Sequence, residues 1–495
     1  MKTKIVSLFV LILICHSSIA QPKHRLIVLA DMGNEPDEMQ QMTHLLMYNN
    51  EIDIEGLIAV TGIWLRPDFD GPAYRKRLHP DLLYKLIDGY SEVYENLKKH
   101  DDGWHTPEYL RGIVRTGQQN YGIDDVGDCN SSPGSKLIVN AVLKDDPRPL
   151  YVVVNAGSNT LAQAIYDYRQ SHSEEDLRAF ISKLIVYENG AQDDAGAWIL
   201  KNFPDIHWIR SINQKNAYGG NTGVEAGDSE GLGPWVWKPY SNSVEGVHDW
   251  ATENIQTNHG ALGALYPDRF DIGRFHFIEG GGTVPWIGLI EPDLYDPYHP
   301  DWGGFSGRYT SQKQANVWSI YYPTISKREK EEFQGFMAYA DTSDTWTDPS
   351  DGKTYNNINT PVHRWRQVLF NDFKCRMDWC VAEYKNANHP PVAVLNDLPG
   401  NGIKFLEAEA GKTIQFDASG SSDPDGDNLV IKWWVYPEAG TYTGEIAIKD
   451  PNQPKCSIRV PKDASGETIH LILEVRDENK IASLYDFQRI VIKTK

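Results

Sequence analysis

The sequence predicts an α/β domain with a mostly parallel sheet and helices on both faces, followed by a small all-β sandwich. Residues 25–30 form a continuous apolar run that ends at Asp31, which is typical of a strand buried on both faces. Residues 38–48 then place apolar side chains at helical spacing, and residues 54–60 read as a second strand. This strand–helix–strand order is a βαβ unit, the building block of a parallel sheet.

The length of 495 residues and the breaks in the pattern predict four segments. They are a signal peptide at 1–20, an α/β domain at 21–385, a linker at 386–392 and a β-sandwich at 393–495. The first segment has a positive start, a short apolar stretch and a small-x-small cleavage site. We therefore expect an exported chain, periplasmic or extracellular after cleavage. Two prolines in the linker stop the preceding helix, and alternating apolar residues beyond it indicate strands.

Charge and composition narrow the classes of partner. The formal net charge is −20, from 68 acidic and 48 basic residues, so a phosphate backbone would be repelled and nucleic acid is not expected as a partner. No segment reaches the roughly 18 apolar residues that a membrane-spanning helix needs. The 15 Trp and 25 Tyr suit a carbohydrate partner, although a large core uses the same residues. The oligomeric state stays open.

The segment richest in candidate catalytic and metal-binding side chains is the acidic loop after the first strand, Asp-Met-Gly-Asn-Glu-Pro-Asp-Glu at 31–38. Ligands of open α/β sheets bind beyond the carboxyl ends of the strands, which is where this loop is predicted to lie. Such a density of oxygen ligands suits Ca²⁺ or Mg²⁺ better than zinc. The alternative is that Asp37 and Glu38 only occupy the first turn of a helix, favoured by its dipole. That alternative does not explain Asp31 at the strand tip.

The loop resembles the signature of the nucleoside hydrolase superfamily, in which a strand, an Asp, a Gly and paired acids lead into a helix. The resemblance implies one bound calcium ion that holds the nucleophilic water. It assigns Asp31 as general base and calcium ligand, and Asp37 and Glu38 as the paired acidic ligands.

Four features depart from the family pattern. Glu38 stands where the family has the second Asp of its acidic pair. Leu29 stands where the family has its first Asp, and Ile63 stands where it has an Asn after the second strand. The loop is also longer, which adds Asn34 and Glu35 as candidate contacts to the calcium or the substrate.

Two further ligands are implied by the resemblance. Residues 154–160, Val-Asn-Ala-Gly-Ser-Asn-Thr, resemble a later turn in which a Thr offers its carbonyl to calcium, which points to Thr160. That residue also suits a helix amino terminus. The last family ligand is an Asp that opens a helix, for which Asp372 is the candidate and Asp378 its rival; a plain surface acid is the alternative for both.

Candidate sugar contacts follow a later strand. The family grips ribose with residues in this stretch, and here residues 187–194 are acidic and shorter, which argues against a free nucleoside. Glu188, Asn189 and Asp193 are candidates for binding a sugar-like ring, and the two acids are also candidates for protonating a leaving group. Arg308 could meet an anionic sugar, or could be buried against an acidic loop as structure.

Over nearly the whole mature chain, the sequence resembles an exported bacterial family described as cellulose-binding, with a nucleoside hydrolase-like domain and a PKD-type, Ig-like domain. The segments that carry this resemblance lie at 31–38, 192–196, 302–309 and 364–379. The Asp-Pro-Asp-Gly-Asp run at 423–427 is typical of PKD domains, where it usually makes a turn and not a metal site.

Two functions compete. The leading hypothesis is an exported, calcium-dependent hydrolase of O- or N-glycosidic bonds that acts in carbohydrate degradation. The alternative is a non-catalytic carbohydrate-binding protein that keeps the scaffold, and the departures at Leu29, Glu38 and Ile63 favour it.

Overall fold

The chain is described by a computed structural model. Its described residues are 23–34, 36–212, 214, 248–267, 269–271, 275–277, 281–314, 336–349, 352–396, 398–399 and 402–495. The predicted signal peptide at 1–20 and the candidate residue Glu35 lie outside these ranges.

The strands are numbered in chain order. They are β1 His24–Ala30, β2 Ile52–Ala59, β3 Val114–Thr116, β4 Leu150–Val154, β5 Leu184–Asn189, β6 His207–Ser211, β7 Arg269–Asp271, β8 Phe275–Phe277, β9 Tyr309–Gln314, β10 Phe336–Asp341, β11 Asp344–Thr347, β12 Thr354–Asn357, β13 Val394–Leu395, β14 Leu398–Pro399, β15 Lys404–Ala408, β16 Thr413–Asp417, β17 Leu429–Val435, β18 Ile448–Lys449, β19 Lys455–Arg459, β20 Thr468–Asp477 and β21 Tyr485–Thr494.

The α-helices within the described ranges are numbered in the same way. They are α1 Asp37–Leu46, α2 Pro80–Leu97, α3 Pro107–Gly112, α4 Pro133–Val142, α5 Asn159–Arg169, α6 Glu174–Ser182, α7 Ala195–Asn202, α8 His248–Ala251, α9 Gly260–Ala264, α10 Val284–Ile287, α11 Thr360–His363 and α12 Arg366–Trp379. None of these helices is long and apolar enough to cross a membrane.

The first domain is built on an eight-stranded sheet in the order β3-β2-β1-β4-β5-β6-β10-β9. Its neighbouring strands are parallel except for β9, which runs antiparallel to β10. Alternate side chains of β1 enter different cores: Leu26 and Val28 one, Ile27 and Leu29 the other. Both faces of the sheet are therefore covered, which confirms the predicted α/β architecture.

The carboxyl-terminal part forms two packed sheets. β15-β21-β20-β17 make one, and β16-β19-β18 make the other. Trp433 is only 2% exposed and lies in the core between them, whereas its neighbour Trp434 packs against the core of the first domain. The alternation of side chains along β17 thus serves two cores at once.

One hydrophobic core crosses the boundary between the domains. Tyr436, Ile472 and Phe487 of the sandwich belong to the same cluster of buried residues as the helical layer of the first domain. The ring of Phe487 lies 5.5 Å from that of Trp365 and 5.8 Å from that of Phe305, both edge-on. The sandwich therefore packs directly against the first domain and is not joined to it by the linker alone.

Two buried arginines join the domains through hydrogen bonds. Arg308 is 6% exposed; its Nε donates to Asp344 Oδ1 at 2.6 Å, and its Nη1 donates to the Glu438 carbonyl at 3.2 Å. Arg489 reaches back from β21 and donates to the carbonyls of Leu294 at 2.8 Å and Gly303 at 2.9 Å. Arg308, a candidate contact for an anionic sugar, therefore lies in the domain interface, because its charge is used by Asp344.

The linker is fixed by a chain of polar groups. His389 Nε2 lies 3.0 Å from Nδ1 of His100, and His389 Nδ1 lies 3.0 Å from the carboxylate of Asp425. His389 is 4% exposed, so this chain is shielded from water. It ties the linker to the turn that follows α2 on one side and to the Asp-rich turn of the sandwich on the other.

An acidic cavity of about 280 Å³ lies between the domains. Desolvation raises the pKa of Glu291 well above its usual range, and the carboxylates of Asp486 and Asp293 raise it further. The pKa of Asp486 is itself raised to about 7, mainly by desolvation. A raised pKa in the folded state favours the protonated form, so ionisation of these groups destabilises the fold as the pH rises.

We expect Glu291→Gln to stabilise the protein at about pH 8. The glutamate of the unfolded chain ionises near pH 4.3, so its cost in the folded state is absent at about pH 4 and grows as the pH rises toward the folded pKa. The free energy of unfolding should exceed that of the wild type by about 1 kcal/mol at pH 8 and equal it at pH 4. Urea unfolding at both pH values measures this, with Glu92→Gln at an exposed position of α2 as the control. Equal stabilities at pH 8 would contradict the expectation.

Candidate functional site

The carboxyl ends of neighbouring strands bring several polar loops to one edge of the sheet. β1 lies between β2 and β4, and β5 follows β4. The residues that follow these strands at this edge are Asp31, Thr61 and Gly62, Asn155 to Asn159, and Gly190 to Asp193. The predicted position of the acidic loop at the edge where α/β ligands bind is therefore observed.

Asp31 is held in a tight turn. Its side chain is 1% exposed, and its backbone carbonyl accepts a hydrogen bond from the Asn34 amide at 3.0 Å. Gly33 within this turn has a φ of +90°, and a Cβ there would lie 2.8 Å from the ring of His79. The turn therefore requires glycine for both its conformation and its packing.

Gly62 makes room for the Asp31 carboxylate. A Cβ at Gly62 would lie 2.8 Å from Asp31 Oδ2 and 2.8 Å from Gln192 Oε1. The loop after β5, which carries Gln192, thus lies close to the loop after β1 at Gly62, which has no side chain. Asp31 and Gln192 present oxygen atoms to the same small space.

A network of amides surrounds this space. Asn155 accepts from Asn189 Nδ2 at its Oδ1 (3.1 Å) and from Gln192 Nε2 at its backbone carbonyl (2.7 Å). Its own Nδ2 donates to the Gly282 carbonyl at 3.2 Å. Because each side-chain nitrogen is bound to Asn155, the orientation of both amides is fixed. The amide oxygens, Asn189 Oδ1 and Gln192 Oε1, are turned away from Asn155. Neither oxygen has a hydrogen-bond partner in the part of the chain that the structure describes.

Two more buried acceptors belong to elements that bound this edge. Asn34 Oδ1 and Thr283 Oγ1 also have no partner among the described residues, although the two side chains are 9% and 0% exposed. Thr283 ends the segment Gly281–Thr283, which packs on α1 and carries the carbonyl that Asn155 binds. A buried polar atom without a partner costs about 1–3 kcal/mol, so such a group indicates a ligand or an ordered water.

The paired acids open α1 as predicted. Asp37 is half-buried and Glu38 is 3% exposed. Glu38 Oε2 accepts from Gln41 Nε2 at 3.0 Å, and Gln41 Oε1 accepts from the indole of Trp286 at 3.2 Å. With Asp31 and Asn34, these acids place four oxygen-bearing side chains within eight residues of the sequence. Among the described residues, Asp31, Asp37 and Glu38 do not form a group whose ligand atoms all lie within 4.8 Å of one another. The donor chemistry fits a hard cation such as Ca²⁺.

Thr160 does not present a free group to this set. It lies in the first turn of α5, where its carbonyl is part of the intrahelical hydrogen-bond pattern. Its side chain is fully buried, and Oγ1 accepts from the Gln118 amide at 3.0 Å. Thr160 therefore joins α5 to the loop after β3.

Asp372 lies at the opposite edge of the sheet. Its carboxylate accepts from the Tyr48 hydroxyl and from Arg376 Nε at 3.3 Å, and it lines the acidic cavity beside Glu51. Glu51 precedes the amino end of β2, whereas Asp31 follows the carboxyl end of β1, which is parallel to β2. Asp372 therefore cannot share an ion with Asp31. The rival Asp378 is paired with His259 at 3.0 Å and Lys374 at 2.9 Å.

Glu188 and Asp193 hold the structure around the site. Glu188 is fully buried, and its Oε2 accepts from Arg210 Nε at 2.6 Å and from the Trp208 indole at 3.0 Å. Both oxygens of Asp193 accept backbone amides, from Asn159 at 3.1 Å and Ala195 at 3.0 Å. Burial, and the nearby charge of Asp194, raise the pKa of Asp193 to about 7. These contacts make both acids structural rather than open to a substrate.

A separate acidic triad lies in the sandwich. Ligand atoms of Asp423, Asp427 and Asp477 all lie within 4.8 Å of one another, so the triad could hold a metal ion. Asp423 Oδ1 also accepts the backbone amides of Asp425 at 2.9 Å and Asp427 at 3.0 Å. The Asp-rich run therefore makes the predicted turn, and Asp477 of β20 adds the third acid from another strand.

The sequence interpretation missed Asn155, Gln192 and Thr283 as site residues. Asn155 directly follows the apolar run of β4, just as Asp31 follows β1, and that shared position was a usable signal. Thr283 lies in a stretch of weak periodicity, so no pattern in the sequence marks it.

Comparisons with known proteins agree with this architecture. "Cellulose-binding Sde182, nucleoside hydrolase-like domain" matches residues 25–309, and "Cellulose-binding protein Sde0182, C-terminal domain" matches residues 413–494. No match is found among curated proteins.

Among solved structures, the chain is similar to a nucleoside hydrolase-related hypothetical protein from Saccharophagus degradans that is associated with carbohydrate metabolism. The identity is 35% and the TM-score 0.77, over 96% of this chain and 100% of that one. The effector protein XOO4466 (11% identity, TM-score 0.32, 72% of this chain and 94% of that one) is too distant to carry an argument. The same holds for the titin M3 domain (11% identity, TM-score 0.14, 21% and 97%).

The nucleoside hydrolase-like match covers more than half of the chain, and the carboxyl-terminal match covers most of the sandwich. The chain therefore belongs to the Sde182-like family of cellulose-binding proteins, which join a nucleoside hydrolase-like domain to a carboxyl-terminal β-sheet domain.

Proposed function

We propose that the chain is an exported, calcium-dependent hydrolase of glycosyl bonds that acts in carbohydrate degradation. The observation that carries the proposal is the buried carboxylate of Asp31 at the carboxyl edge of the sheet, beside oriented amides with free acceptor atoms. The family description as cellulose-binding, and the association of the Saccharophagus degradans protein with carbohydrate metabolism, support a carbohydrate ligand.

Asp31 is proposed to take the proton of the attacking water. The calcium ion would be held by Asp31, Asn34, Asp37 and Glu38, and when bound it supplies the charge that orients a water and lowers its pKa. Removal of the proton by a neighbouring carboxylate makes the water nucleophilic. Thr160 and Asp372 take no part in this ligand set.

The amides are proposed to hold the sugar. Asn189 Oδ1 and Gln192 Oε1 are fixed by their bonds to Asn155 and accept hydrogen bonds from sugar hydroxyls. Oriented acceptors lose little entropy on binding, so they fix the position of the ring relative to Asp31. Glu188 does not donate the leaving-group proton in this scheme, because its carboxylate is paired with Arg210.

A non-catalytic carbohydrate-binding protein is the second candidate. The position of Asp372 favours it, because this ligand implied by the nucleoside hydrolase resemblance is bound to Tyr48 and Arg376 at the opposite edge of the sheet. The amide cluster would serve binding equally well without turnover.

We expect Asp31→Asn to reduce hydrolysis by about 10²-fold or more, because the amide cannot accept the proton of water. The release of free base from nucleosides, of the aryl group from aryl furanosides and of sugars from plant polysaccharides is measured with calcium and with a chelator. The exposed acid Asp205, changed to Asn, is the matched control and should keep full activity. If the wild type releases no product from any substrate but still binds glycan, the hydrolase proposal is wrong and the chain is a carbohydrate-binding protein.

We expect Asn189→Ala to weaken sugar binding by about 10-fold, because one buried acceptor is removed while Asp31 is left in place. For an active enzyme this appears as a higher KM with a smaller change in kcat; for a binding protein it appears as a higher Kd. Asn202→Ala, on the exposed side of α7, is the control. An unchanged KM or Kd would place the sugar away from the amide cluster.

A further inference from the structure

A second cavity, of about 360 Å³, opens between the amino edge of the large sheet and the sandwich. His24, the first residue of β1, and Pro149, just before β4, form part of its wall. Ile403 and Phe405 close it from the side of the sandwich. Asp31 follows the far end of β1, and a strand of seven residues spans about 23 Å. The cavity therefore lies at the opposite edge from the candidate hydrolytic site.

The cavity carries exposed aromatic rings from both domains. Tyr298 of the first domain is 50% exposed, and Phe405 of the sandwich is 70% exposed. The Phe405 ring lies 6.1 Å from that of Trp302, which stacks on His299 at 4.0 Å. Large apolar side chains that are exposed together around a cavity indicate a binding site, because water contact is unfavourable for each of them.

The cations of the cavity are already used by the protein. Arg148 donates to Asp146 Oδ2 at 2.6 Å and to Asp53 Oδ2 at 2.5 Å, and Lys23 Nζ donates to the Gly103 carbonyl at 3.0 Å. An anionic ligand would have to break these pairs, and the broken pair would leave a charge without its partner. The carboxylate in the wall, Asp296, accepts the backbone amide of Tyr298 at 2.9 Å. A neutral ligand leaves all of these contacts in place, so the cavity suits a molecule without charge.

We propose that this cavity binds a β-1,4-linked glucan chain through stacking on Tyr298 and Phe405. A pyranose ring has an apolar C–H face that packs on an aromatic ring and a rim of hydroxyls for the polar edge of the cavity. The volume falls in the range of about 300–1,000 Å³ of small-molecule sites, and the family description names cellulose as the ligand.

The inference goes beyond the proposed function. The two share the ligand class, a carbohydrate, but the cavity is a non-catalytic site at the other edge of the sheet. A chain bound there would contact both domains at once.

The test measures binding of cellohexaose by calorimetry and of microcrystalline cellulose by sedimentation. The full mature chain is compared with the double variant Tyr298→Ala, Phe405→Ala. We expect the double variant to bind both probes at least about 10-fold more weakly, because two stacking rings are lost. Tyr84→Ala, which removes an exposed tyrosine of α2, should change binding less than about two-fold. Both cavity rings are exposed, so thermal unfolding should show an intact fold.

Failure of the wild type to bind either probe overturns the inference, and so does equal binding by the wild type and the double variant. The double variant separates the two sites. We expect it to hydrolyse substrates as the wild type does while it binds glucan more weakly; glucan binding that is lost in Asp31→Asn but intact in the double variant places the glucan at the acidic loop and overturns the inference. If glucan binding needs Tyr298 and Phe405 but no substrate is hydrolysed, the hydrolase proposal is wrong and the inference about the cavity is supported.

Discussion

The burial of the Asp31 carboxylate at the tip of a central strand is the constraint on which the candidate site depends. A carboxylate removed from water is costly unless polar groups surround it. The parallel pairing of β1 with β2 and β4 brings those groups, because it places Gly62 on one side of Asp31 and Asn155 on the other. The missing side chain at Gly62 leaves room for the carboxylate, and the amides of the neighbouring loops lie around it.

Local patterns in the sequence predicted the elements that position Asp31. The apolar run of β1, the turn at Gly33 and the acids that open α1 lie within fifteen residues, so each is decided by its near neighbours. A residue that directly follows a buried parallel strand lies at the carboxyl edge of the sheet, whatever the rest of the chain does. For that reason the sequence was enough to place Asp31, Asn34, Asp37 and Glu38 at this edge.

Residues placed by long-range contacts could not be found in this way. A helix residue can face either edge of a sheet, and Asp372 meets Tyr48, which lies 324 positions earlier. Arg308 is bound to the Glu438 carbonyl, 130 positions later, so the segment around it does not reveal the interface. Glu188 reads as an open acid until β6 pairs with β5 and brings Arg210 beside it.

The core shared by the two domains has a consequence for how such chains can be rebuilt. The sandwich shares buried rings and arginine hydrogen bonds with its neighbour. Cutting the chain at the linker would leave Phe305, Trp365 and Phe487 on open surfaces. The sandwich is therefore unsuited to use as a transferable affinity tag, and the two domains should melt as one cooperative unit.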